Sequence, residues 1–111
     1  MGKVSPEVFE EVSVLWEEHR HIPFPGLADR DLFADLVLAD DGVAGVMFWY
    51  VRNEGKALTD QLRERLISSA RDLRWIRRRA RGREARTYVD RLLRMADLIL
   101  GRAAVDASPA E

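Results

Sequence analysis

The sequence predicts an all-α fold: a compact bundle of four or five helices around a central apolar helix at about 43–52. Three observations carry this. The run Val43–Val51 is apolar or aromatic at nearly every position, and wound at 3.6 residues per turn it has no wet face, which puts it in the middle of a domain. Four other segments repeat their apolar residues at helical spacing. Asn53-Glu54-Gly55 reads as a helix C-terminus rather than as a strand end. On this reading Phe48 and Trp49 are both expected to be largely buried.

Taken in order, residues 1–4 form a loose end, and Ser5-Pro6 starts a helix with a hydroxyl cap and a proline whose fixed φ suits the first turn. Val8, Phe9, Val12, Leu15, Trp16 and His19 then line one stripe of a helix over about 6–20. Glu7, Glu10 and Glu11 lie near the positive end of its dipole. His21-Ile22-Pro23-Phe24-Pro25-Gly26 breaks the pattern, because each proline pushes its predecessor toward extended backbone. Pro-Phe-Pro is the composition of a docking ligand for a proline-reading module, and equally that of a rigid corner between helices; the corner is the preferred reading.

A second helix begins at Asp29 or Asp31 with Leu32, Phe33, Leu36 and Val37 apolar. Asp40-Asp41-Gly42 raises a rival, a β-hairpin pairing 36–39 with 43–51. A lone two-stranded ribbon in a helical protein is an uncommon arrangement, so a helix, continuous or bent at Gly42, is expected. Ala44 and Gly45 would let a neighbour approach. Leu58, Leu62, Leu66, Ala70, Leu73, Ile76 and Ala80 predict a long helix over about 59–80. Ala85, Tyr88, Val89, Leu92, Ala96, Ile99 and Leu100 predict a last one over about 84–100, stopped by Gly101.

Length and composition set the class. A chain of 111 residues makes one domain, here 1–101, with a disordered tail at 102–111. The absence of cysteine excludes disulfides, zinc–thiolate sites and thiol catalysis. Acidic residues interrupt the N-terminus before any signal-peptide core develops, and the longest apolar run is far short of the roughly 20 residues that span a membrane. A cytoplasmic protein without membrane partners is expected.

The pattern in Leu36–Val51, followed by the Tyr88–Leu100 helix, resembles short uncharacterised all-helical proteins of high-GC actinobacteria. The resemblance covers about half the chain and brings no catalytic motif. It implies an all-helical fold, and there is no activity to carry over from it.

No constellation amounts to an enzyme or to a cofactor site. Glu17, Glu18, His19 and His21 have ligand chemistry, but on a helix Glu17 points away from His19 and His21 lies past its end. Asp35, Asp40 and Asp41 sit in an apolar neighbourhood, where paired carboxylates can do acid–base work; on a continuous helix Asp40 or Asp41 instead pairs with an arginine of the 59–80 helix, and on a broken one either is an N-cap. None of the serines has a nucleophile-elbow context, and Gly42-x-x-Gly45 lacks the frame of a phosphate loop.

Charge is divided along the chain. Residues 1–62 hold 12 acids against 5 bases, and residues 63–111 hold 7 acids against 13 bases, giving −7 and +6. The basic half either faces the acidic half or faces an anionic partner. The densest stretch is 71–86. Its Arg71, Arg74, Trp75, Arg78, Arg79, Arg81 and Arg83 form a candidate surface for a protein partner or for single-stranded nucleic acid, where guanidiniums take phosphate and a ring stacks on bases. The near-zero total favours the first, with the segment facing the Glu7–Glu18 helix or a second subunit. The expected function is a non-enzymatic interaction or regulatory module acting as a homodimer; the alternative is nucleic-acid binding.

Overall fold

A computed structural model describes residues 6–102 as four helices: α1 Pro6–His19, α2 Arg30–Arg52, α3 Asp60–Arg79 and α4 Arg83–Leu100. The expected loose end at 1–4, the Ser5 cap and the tail from 103 onward lie outside the described residues. Among the described residues 77% are helical and no strand forms. The 36–51 stretch is therefore helix, and it runs unbroken through Asp40-Asp41-Gly42.

The helix ends follow from local chemistry. Asp29 caps α2 by accepting from the Leu32 amide at 3.0 Å, and Thr59 caps α3 by accepting from the Leu62 amide at 3.2 Å. Each meets one of the amides a helix start leaves without a partner. Gly101 ends α4 in the left-handed conformation, φ 75°, which only glycine adopts without strain. Arg77, Arg78 and Arg79 crowd the last turn of α3, where cations meet the negative end of the dipole.

Side-chain contacts fix the directions. The Phe9 ring tilts against Tyr50 at 5.8 Å while His19 reaches Asp40, so α1 runs antiparallel to α2. A Cβ on Gly42 would meet Ser69 and one on Gly45 would meet Arg65, so α2 and α3 are antiparallel. Arg74 pairs with Asp97 and Arg77 with Asp90, so α3 and α4 are antiparallel as well. The result is an up-down-up-down bundle. Each helix packs on its two neighbours in the ring, α2 and α4 also meet across the middle, and α1 and α3 do not touch.

Val43, Val46, Met47 and Tyr50 are fully buried, which places 43–52 in the core. It is not buried all round. Phe48 is 58% exposed and Trp49 only half-buried, which corrects the expectation that both rings are sheltered. In a four-membered ring of helices every helix keeps an outward side, and Phe48 is on it. α4 carries the widest buried face, with ten of its 18 residues inside.

Candidate interaction surface

The outward side of α2 is apolar. Taking 100° per residue, Phe33, Val37 and Phe48 fall within about 60° of arc, with Leu38 and Gly45 at one flank. Phe33 is 38% exposed, Val37 42%, Leu38 72% and Phe48 58%. Only two other large apolar side chains of the described residues are comparably exposed, Val14 and Trp75. The stripe is braced from both ends. Phe24 of the proline corner meets Phe33 edge-on at 5.3 Å, and the Arg52 guanidinium lies 5.4 Å from the centre of the Phe48 ring. Asp41 is exposed in the middle of the stripe, and Arg65 of α3 comes alongside at Gly45.

Gly42, rather than the expected Ala44 and Gly45, makes the close approach between helices: a Cβ there would run into Ser69 Oγ. Gly45 is exposed.

Beneath the opposite edge of α2 lies a polar cluster. Asp40 Oδ1 sits 3.4 Å from His19 Nε2 and accepts from the Tyr88 hydroxyl at 3.2 Å. The expectation gave Asp40 or Asp41 to an arginine of the 59–80 helix, and Asp40 goes elsewhere. α4 supplies the partner, because Asp40 is turned toward α1 and α4 while α3 lies on the other flank. His19 is buried, its Nδ1 has no hydrogen-bond partner among the described residues, and its ring stacks on Trp16 and tilts against Tyr88 at 4.6 Å. Burial first, and the Asp40 carboxylate second, push the Tyr88 phenol well above its usual range. Beside the cluster a cavity of about 400 Å³ opens between the proline corner and the first half of α4.

Glu17 accepts from His21 and Arg20 on the surface, and those hydrogen bonds and charges lower its pKa. No three His, Asp or Glu side chains converge as a metal site among the described residues.

The arginine segment does not face α1. Arg74 holds the buried Asp97, its Nη2 2.7 Å from both carboxylate oxygens, and Arg77 holds Asp90; both acids are on α4. Among the described residues the acidic α1 contributes a single ion pair to the basic half, Glu11 with Arg94, again on α4. The expectation that 71–86 faces the Glu7–Glu18 helix is corrected by the ring order, since α1 and α3 are diagonal. Arg71 donates to Ser68 at 3.3 Å, and Arg86 donates to the Ala80 carbonyl. Trp75 is 40% exposed, and the Arg79 guanidinium lies over its ring at 4.1 Å. Arg78, Arg81 and Arg83 are exposed, and Arg83 lines the cavity.

Sequence reasoning assigned the wall-to-wall apolar character of α2 to burial and so passed over Phe33, Val37, Leu38 and Phe48. The signal was present. Leu32, Leu36, Ala39, Val43, Val46, Met47 and Tyr50 already supply one complete buried face, and the remaining apolar residues cluster on a second. No helix of the described residues is long and apolar enough to cross a membrane. No protein-family model, curated protein or solved structure matches the chain.

Proposed function

We propose that the chain is a non-enzymatic interaction module that pairs with a second copy of itself through the outward face of α2. The observation that carries the reading is the concentration of exposed large apolar side chains on that one helix. Contiguous exposed apolar surface marks association sites, and this stripe runs most of the length of a 23-residue helix, about 35 Å.

The spacing of the stripe sets the direction of the pairing. Phe33 and Phe48 stand at nearly equal distances on either side of Asp41, so an antiparallel arrangement about a two-fold axis near that residue brings each onto the other. It also opposes the two helix dipoles. Phe33 then meets the partner's Phe48, and Val37 meets the small surface at the partner's Ala44 and Gly45. The same contacts occur twice, as an isologous interface requires. One helix pair buries an area at the lower end of stable interfaces, so a weak, concentration-dependent dimer is expected.

Asp41 opposes association, because the two-fold brings its carboxylate toward the partner's. Sedimentation velocity across a concentration series tests the proposal. The wild type should move from monomer to dimer, Phe48→Glu should remain monomeric with unchanged helicity, and Asp41→Asn should dimerise more tightly. A wild type that stays monomeric at several hundred micromolar, or a Phe48→Glu variant that still dimerises, overturns it.

Nucleic-acid binding through 71–86 has weaker support. Arg74 and Arg77 already hold acids of α4, and Arg79 occupies one face of the Trp75 ring. Sub-micromolar binding that weakens linearly in log salt, with a slope near −0.7 per phosphate neutralised on a single strand, would reverse the order of the two readings.

A further inference from the structure

We infer that the cavity between the proline corner and the first half of α4 binds a small apolar molecule carrying one carboxylate. The site is separate from the α2 stripe and does not depend on the pairing proposed there. Its volume, about 400 Å³, falls in the range of small-molecule pockets, which are mostly apolar with a few polar groups that orient the ligand.

One wall is Ile22, Pro23 and Pro25. The prolines fix their own φ and stiffen the corner, and Phe24 between them is wedged against Phe33 and Tyr88. That wall is therefore formed before any ligand arrives, which lowers the ordering cost of binding. The other wall is one face of α4. The Tyr88 hydroxyl already donates its one proton to Asp40, which leaves none to give a ligand.

Three charged side chains line the space: Arg83, Glu84 and Arg91. No hydrogen bond or ion pair engages any of them among the described residues. Arg83 and Arg91 stand two turns apart, about 12 Å along the axis, on either side of Thr87 and Tyr88. Two guanidiniums against one carboxylate leave one positive charge, and guanidinium is the donor that matches a carboxylate in paired hydrogen bonds. Glu84 offsets one of the two guanidiniums, so the single net positive charge left is the one a carboxylate neutralises. An apolar body then fills the space along the prolines and the tyrosine ring.

Octanoate, 1-octanol, octylammonium and inorganic phosphate, titrated into isotopically labelled full-length chain and followed by amide chemical shifts, test the inference. Octanoate should bind tightest and shift Ile22, Thr87 and Tyr88 rather than the α2 residues 33–48. Arg91→Gln should weaken octanoate about tenfold, as loss of a charge-assisted hydrogen bond does. Glu84→Gln should strengthen it, an opposite sign that damage to the fold cannot produce. The inference fails if 1-octanol binds as well as octanoate, if phosphate binds better, if the shifts lie elsewhere, or if millimolar octanoate shifts nothing.

Discussion

Met47 and Phe48 are neighbours in sequence and opposites in role. Met47 is fully buried, while Phe48 has more than half its surface in water. Met47→Ala removes packed volume and should cost about 2–5 kcal/mol of stability. Phe48→Ala leaves no cavity, so it should change stability by no more than about 0.5–1 kcal/mol, including its contact with Arg52. Urea denaturation at low protein concentration, where the chain is monomeric, measures both. A loss above about 2 kcal/mol for Phe48→Ala would mean that its ring is core after all. Local sequence could not separate these two residues, because both are large and apolar and differ by only 100° around the helix. What separates them is which sides of α2 its neighbours cover.

At the level of the helices, α1, α3 and α4 were legible in the sequence to within one or two residues at their ends, whereas the sequence leaves the continuity of α2 through Asp40-Asp41-Gly42 open between one helix, two helices and a hairpin. Their caps and periodicities are local properties. Which helix lies beside which was not legible, because charge totals carry no geometry. The acidic α1 and the basic α3 look like natural partners in composition, yet the ring sets them diagonally and gives the arginines to α4. Two element-level expectations follow. Arg74→Gln strips the buried Asp97 of its ion-pair partner and should cost about 3 kcal/mol, whereas Arg78→Gln, on the exposed side, should cost less than about 0.5 kcal/mol. Equal losses would show that the Arg74 pair is no more than a surface contact. At the α2–α3 crossing, Gly42→Ala gains about 1 kcal/mol of helix propensity but collides with Ser69 Oγ. The sign should therefore depend on Ser69. Gly42→Ala should be stabilising in a Ser69→Ala background and clearly less favourable in the wild type, with a coupling of at least about 0.5 kcal/mol in a double-mutant cycle. Additive effects would place the two helices farther apart.

For the whole molecule, alkaline pH gives a reading of the core that few proteins allow. The chain has no cysteine, only two lysines and only two tyrosines, and its remaining cations are arginines, which keep their protons throughout. Both tyrosines are buried. Burial raises the Tyr50 pKa, and burial together with Asp40 raises that of Tyr88. In the unfolded chain each phenol releases its proton near pH 10, while in the fold both retain it. Above about pH 10 the unfolded state therefore binds fewer protons than the native state, and stability must fall as pH rises. Below that pH the contribution is complete. The limb should steepen toward about 1.4 kcal/mol per pH unit for each tyrosine. Phenylalanine at both positions should flatten it. The two single variants should differ at neutral pH. Tyr50→Phe removes a buried hydroxyl with no partner among the described residues and should be neutral or stabilising. Tyr88→Phe breaks a hydrogen bond to a carboxylate and should cost about 1.5–3 kcal/mol. Denaturant titrations at pH 8, 10 and 11 on the wild type and the three variants make the measurement. A wild type equally stable at pH 8 and 11, or a double variant with the same alkaline limb, would show that neither phenol is held in the interior.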